Sequence, residues 1–268
     1  MTNLGRAREI CRALISAFEK REAVFSDIKE LLENQLPDGV TPLSREHANF
    51  LFFLISQDHG VKSAKLYERA KALYTALPDS FEPRHIVSKY PASHPDGPIN
   101  ILQALSVRYP RNGARSWLSN SYVLCTQYDG DARKIFHAVT SAEAMKRIRA
   151  LLGFGPKTGG LLFRVFVGLK LYIPPDEDDI PFPTDIHDTR IAALTDIADI
   201  PSGVTESTYM PYVKLAEQVW RQACKEESIS WLQVDRALWI LGSKGCTNER
   251  HFDCPIRRYC KLGSEFLL

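Results

Sequence analysis

Leu151-Leu152-Gly153-Phe154-Gly155-Pro156-Lys157-Thr158-Gly159 is the stretch on which the reading of this chain turns. Two glycines one residue apart permit a sharp turn, because glycine reaches positive φ without steric penalty. Pro156 suits the first position of a following helix, where no amide donor is needed. A helix is therefore predicted to start near Pro156, with Leu161, Leu162, Val165 and Phe166 recurring at helical spacing as its inward face. Upstream, Ala144, Ile148, Leu151 and Leu152 repeat that spacing, and Thr140 with Glu143 matches a capping box. The unit reads as helix, hairpin, helix. The amides of a glycine-rich turn that opens a helix, with the positive end of the helix dipole behind them, make a site for a phosphate of any sequence context. Lys157 stands beside it; alone, it reads as an ordinary solvated lysine.

Further on, Thr184-Asp185-Ile186-His187-Asp188-Thr189-Arg190 places an aspartate just after Pro183 and just before the apolar run Ile191, Leu194 and Ile197. That is the position of a helix cap. Together, L-x-G-x-G-x-K-T-G and D-x-H-x-x-R resemble the helix-hairpin-helix DNA glycosylases of the endonuclease III superfamily. The resemblance runs from about Phe50 to Cys260. It implies an all-α fold of two helical domains with the active site in the cleft between them. It also implies Lys157 as the nucleophile, Asp185 as the essential carboxylate, and Gly153, Gly155 and Thr158 as the DNA-contacting residues of the hairpin. The stretch 171–182 (LYIPPDEDDIPF) departs from the family as extra sequence between lysine and aspartate. A surface loop absorbs such an insertion at small entropic cost. An attacking amine must be neutral. Lowering a lysine from about 10.4 to about 8 costs roughly 3 kcal/mol, and a helix dipole supplies only ~0.3–1 kcal/mol. Partial burial is expected to provide the rest.

With 268 residues, 44% of them hydrophobic, the chain has material for one or two sizeable cores. Arg164 and Lys170 interrupt the longest apolar run, so no membrane helix is predicted. The N-terminal stretch carries Glu9, Glu19 and Glu22 and lacks an apolar signal core, which predicts a cytoplasmic protein located with DNA. A net charge of +2 does not by itself announce a nucleic-acid binder, although a local basic face is compatible with it. Cys11, Cys125 and Cys224 fall in partly apolar helical contexts and read as buried free thiols.

Residues 4–36 read as one long helix or two joined ones, ending before Pro37-Asp38-Gly39. Ser44 to Ile55, ending Phe50-Leu51-Phe52-Phe53-Leu54-Ile55, reads as a central core helix. It leads into Ser56-Gln57-Asp58-His59-Gly60. The resemblance makes Gln57 a DNA-contacting wedge that fills the gap left by an extruded nucleotide; the residues themselves read equally well as a polar helix terminus. Residues 78–110 read as an irregular connector with one short helix near Ile99 to Val107, and helical spacing returns at 111–128, 132–139, 191–197, 209–225 and 230–241. No strand-like alternation of useful length occurs. Three domains follow: an N-terminal helical region, 1–44, packing with the C-terminal part; a six-helix domain, 45–170; and a C-terminal helical domain, 171–268.

The last domain carries Cys246, His251, Cys254 and Cys260, spaced C-x4-H-x2-C-x5-C. Four soft or borderline ligands so close together suit one metal site. The loop resembles the iron-sulfur loop of many endonuclease III relatives, with His251 standing where the family has cysteine and two residues missing before it. A [4Fe-4S] cluster on a variant Cys3His set, zinc on the same four residues, and a loop without metal are the three readings, the first favoured. Arg250, Arg257, Arg258 and Lys261 flank the loop and are candidates for DNA phosphates. The expected function is excision of a damaged base from double-stranded DNA by a monomeric glycosylase with AP lyase activity. The alternatives are a non-enzymatic helix-hairpin-helix DNA-binding protein and a monofunctional or nucleoside glycosylase of the same fold.

Overall fold

Several helices of this chain begin at a side chain that takes up one of the first free amides. Asn3 Oδ1 accepts from Arg6 N at 3.1 Å, Ser44 Oγ from His47 N at 3.1 Å, Thr140 Oγ1 from Glu143 N at 3.3 Å, and Asp185 Oδ1 from His187 N at 2.7 Å. The computed structural model describes residues 2–29, 31–137, 139–176 and 183–264. Its helices run Leu4–Glu19 (α1), Arg45–Ser56 (α2), Ser63–Ala76 (α3), Pro83–Lys89 (α4), Ile99–Ala104 (α5), Pro110–Gln127 (α6), Ser141–Arg149 (α7), Pro156–Gly168 (α8), Ile186–Leu194 (α9), Val213–Glu227 (α10) and Trp231–Ile240 (α11). No strand occurs among the described residues, and the chain is all-α.

The chain forms two compact units, one of Lys29–Pro183 and one that joins Met1–Ile28 to Thr184–Leu268. In the Lys29–Pro183 unit, α2 is the central helix, and every residue from Phe50 to Ile55 is fully buried. Its aromatic rings organise the core: Phe53 stacks on Trp117 of α6 at 4.5 Å, and Phe50 meets Phe81 at 5.1 Å. A second cluster sits around Phe136, which stacks on Phe166 of α8 at 4.8 Å and meets Tyr172 at 5.2 Å. Such pairs add roughly 0.5–1.5 kcal/mol each beyond the burial of their area. Arg164 of α8 is buried beside Glu33 at 3.5 Å, so the charge carried into this core is compensated.

In the other unit, α1 packs against α10 and α11; Ile10, Cys11 and Leu14 of α1 and Trp220, Ala223 and Val234 of its partners are all without solvent exposure. Arg8 and Arg12 both bond Glu227, tying the same two helices together at the surface. Among the described residues, no helix is long and apolar enough to cross a membrane.

Three sequence expectations change here. The N-terminal helix stops at Glu19, because Arg21 (φ 56°) and Ala23 (φ 52°) take left-handed conformations that an α-helix cannot continue through. Short 3-10 turns, Ala23–Ser26 and Leu32–Asn34, follow in place of a second helix. The 78–110 connector holds two helices, α4 and α5, the first opened by Pro83 and by Glu82, whose carboxylate accepts from Arg84 N at 3.2 Å. Cys125 is half-buried, while Cys11 and Cys224 are buried, and all six cysteines are free thiols. Of the stretch 171–182, residues 177–182 lie outside the described residues. The part before them is tied to α7: Asp176 accepts from Ser141 N and Oγ, both at 2.8 Å, and Tyr172 Oη donates to Val139 O at 2.7 Å.

Candidate DNA-binding and catalytic site

The hairpin between α7 and α8 is held from several sides. Gly153 turns with φ +87°, and a β-carbon there would stand 3.3 Å from the carbonyl oxygen of Ser56, tighter than most side chains allow. Phe154 points inward, 4% exposed, with its ring 5.0 Å from Phe52 of α2. Thr158 Oγ1 accepts from Gly155 N at 2.9 Å and donates to Gly153 O at 3.1 Å, so its hydroxyl closes the turn from the first turn of α8. Asn120 of α6, fully buried, clamps the neighbouring residue: Nδ2 donates to Leu152 O at 2.8 Å and Oδ1 accepts from Leu152 N at 3.0 Å. The sequence reading missed Asn120. Its signal was an amide among the helically spaced Trp117, Leu118, Ser121 and Leu124, where a polar side chain must find partners.

Asn120→Ala should therefore loosen the hairpin without emptying much of the core. Losing one polar partner of this kind costs about 1–3 kcal/mol. In a protein of this size that lowers Tm by roughly 2–8 °C, and duplex binding should weaken in parallel. Thermal melting with a duplex-binding titration checks this; unchanged binding at lowered Tm would show that the hairpin does not need the clamp.

Gly155 occupies the N-cap of α8, and having no side chain it leaves the first amides of the helix without a side-chain cap. Lys157 is the second residue of that helix and is exposed. The described residues thus leave it without the burial expected to lower its proton affinity.

Asp185 is 4% exposed and caps α9. Its Oδ1 accepts from His187 N, its own amide donates to Asp188 Oδ2 at 2.8 Å, and Thr189 Oγ1 donates to its carbonyl at 2.7 Å. Trp220 Nε1 donates to Asp188 O at 3.2 Å, anchoring this turn on α10. The carboxylate is therefore rigidly placed at a helix N-terminus, where negative charge is stabilised. Lys157 belongs to the Lys29–Pro183 unit, and Asp185 is the second residue of the other beyond the joint at Pro183.

Gln57 is the C-cap of α2 and is 2% exposed, with Nε2 donating to Ser56 Oγ at 3.0 Å and, longer, to Ser116 Oγ at 3.4 Å. A side chain that fills a gap in a duplex must project from the surface, and Gln57 points into its own loop. In this structure it sits as a polar helix terminus.

Cys246 ends a π-helical turn, Leu241–Cys246, that continues α11. Gly242 in this turn lies against α9, where a β-carbon would come within 2.4 Å of His187 Cβ. Cys246, His251, Cys254 and Cys260 line one cavity of about 20 Å³. Burial pushes the Cys246 thiol up to about 11 and the Cys254 thiol up to about 12. Three thiols and an imidazole around one cavity are a donor set that suits zinc or an iron-sulfur cluster. Yet among the described residues no group of three or more His, Cys, Asp or Glu converges closely enough to hold a metal ion. The donor chemistry fits and the spacing is not closed. Of the flanking cations, Arg250 pairs with Asp253 at 2.6 Å and Lys261 with Asp196 at 2.6 Å, while Arg257 stacks over Phe252 and Arg258 over Tyr259.

No protein-family profile matches this chain, and no curated protein sequence matches it. Solved structures do. An endonuclease III trapped as a covalent intermediate with DNA aligns over 100% of both chains with a TM-score of 0.59 at 15% identity. A thermostable thymine-DNA glycosylase aligns over 97% of this chain and 98% of its own, also with a TM-score of 0.59, at 10% identity. Likeness at these identities establishes the fold.

Proposed function

We propose, from the premise that this chain has the fold of the helix-hairpin-helix DNA glycosylases, that it is a base-excision-repair glycosylase acting on double-stranded DNA, and that it also cuts the strand as an AP lyase. The observation that carries the proposal is Lys157, exposed in the first turn of an uncapped helix beside a hairpin whose backbone is fixed by Thr158, Phe154 and Asn120. The hairpin amides and the helix dipole hold a phosphate. With the damaged nucleotide extruded, the neutral Lys157 amine attacks C1′ of the sugar. The C1′–N bond breaks, the electron pair leaves with the base, and a proton is delivered to it. Asp185 stabilises the positive charge that develops on the sugar and assists proton transfer. Loss of the amine protons and opening of the sugar ring give a Schiff base, and β-elimination then breaks the C3′–O bond.

The substrate is a duplex holding one damaged base, and the protein acts as a monomer. Cys246, His251, Cys254 and Cys260 would hold a [4Fe-4S] cluster, with zinc on the same residues, or a loop without metal, as the alternatives. The metal's part is structural: it would pin the loop that follows α11. Metal analysis with melting curves before and after chelation checks this, with an expected fall in Tm of more than about 5 °C. A metal-free protein whose melting a chelator leaves unchanged would remove the metal from the account.

The direct test is a panel of duplexes, each with one lesion or an abasic site, assayed for base release and for a covalent band under borohydride. Release together with a trapped band on one lesion is the expected result. Release without a band would leave a monofunctional glycosylase, and binding without either would leave a DNA-binding module.

A further inference from the structure

The first turn of α9 buries two carboxylates, Asp185 at 4% and Asp188 at 2% exposure, and each binds the main chain at the other. The Asp185 side chain accepts from the Asp188 amide, and Asp188 Oδ2 accepts from Asp185 N at 2.8 Å. The first contact caps the helix. The second fixes the residue that provides the cap, and it uses a carboxylate acceptor, whose hydrogen bonds are roughly twice as strong as those of a neutral group. Asp188 is held in turn from α10, where the fully buried Trp220 donates through Nε1 to its carbonyl oxygen at 3.2 Å. Thr189 Oγ1 donates to the carbonyl of Asp185 at 2.7 Å, and the π-helical turn Leu241–Cys246 backs His187 through Gly242. Residue 185 is thus tied at its amide, its carbonyl and its side chain, and the tie at the amide comes from Asp188.

From these contacts we infer that Asp188 is a positioning residue for base release: its carboxylate holds the backbone of Asp185 so that the Asp185 carboxylate keeps one orientation. This rests on the glycosylase reading above, in which Asp185 stabilises the charge that develops on the sugar. With the acceptor removed, Asp185 N becomes a buried donor without this bond. The peptide before it can then turn to find another partner, and the carboxylate turns with it. A displacement of about 1 Å is worth on the order of 10²-fold in rate. Asp188 itself is buried, so it offers a duplex no surface, and the loss falls on the chemical step and not on binding.

The test is single-turnover base release by the full chain on the lesion duplex that the wild type processes, with duplex affinity and thermal melting measured alongside. Asp188→Ala should lower release roughly 10–100-fold, leave affinity within about twofold, and lower Tm by roughly 2–4 °C. Asp188→Asn, whose amide oxygen accepts in the same place, should recover most of the lost rate. The decisive comparison is made in the Asp185→Asn background. There Asp188→Ala should cost no further rate, since the carboxylate it positions is gone, although the fall in Tm remains. Trp220→Phe, which keeps an aromatic ring but removes the indole donor to Asp188, should show the same background-dependent loss on a smaller scale, and it carries the test if Asp188→Ala does not fold. Wild-type release by Asp188→Ala, or an equal loss in both backgrounds, overturns the inference and leaves the glycosylase reading standing. A wild type that releases no base from any lesion duplex overturns that reading, and this inference with it.

Discussion

Replacing Lys157 by glutamine abolishes the borohydride-trapped protein–DNA band and the strand cut, while the protein still folds and still binds duplex DNA. The exposed position of Lys157 makes this a clean experiment. Glutamine is about as good a helix former as lysine, and no core contact is lost. Glutamine also has no amine able to form a Schiff base. Loss of a nucleophile lowers a rate by on the order of 10³-fold or more, and here the covalent product has no other route. Duplex affinity falls only by what one phosphate contact contributes, with a salt dependence shallower by about one charge. Trapping and strand cleavage, with binding measured alongside, decide the matter. A persistent band would mean that another amine does the chemistry.

Asp185→Asn is expected to lower base release by roughly 10²–10⁴-fold, the range for removing a positioned acid or base, and to leave stability almost untouched. The asymmetry is what makes it informative. Asp185 caps α9 through Oδ1 and His187 N, a bond that an asparagine oxygen repeats. Its backbone bonds to Asp188 and Thr189 do not involve the carboxylate. Asn therefore keeps the cap and removes the charge. Asp185→Ala removes both and should cost about 1 kcal/mol of stability in addition. Single-turnover base release beside thermal melting separates the roles. Near-wild-type release by Asp185→Asn would leave Asp185 as a helix cap and nothing more.

Features set by a few consecutive residues were legible in the sequence. Pro156 does open a helix, Thr140 caps α7, Asp185 caps α9, and Phe50 to Ile55 is the core of its unit. Each depends on φ restriction, an orphan amide or an apolar run, all of which act within one or two turns. Exposure was not legible, because it depends on which distant residues arrive. Gln57 and Lys157 both stand at helix ends among polar neighbours. Ser116 of α6 accepts from the first, which is buried, while the second is exposed. The breaks at Arg21 and Ala23 were also hidden, since neither residue type favours a left-handed backbone. The Cys246 loop gave its donor set plainly, but spacing along the chain does not fix where the four side chains converge.

The division of the chain has a consequence for how the protein is made. The Lys29–Pro183 unit is continuous, whereas the unit around it needs both ends of the sequence. α1 leaves the ribosome well before its partner α10, which begins only at Val213. At roughly 5–20 residues per second, synthesis takes on the order of 10–40 s to cover that gap. Through that interval the face of Ile10 and Leu14 lacks the helices α10 and α11 that pack on α1, while the unit between can complete itself. Nascent chains stalled before Val213 should accordingly hold a protease-resistant middle and a sticky, chaperone-dependent beginning.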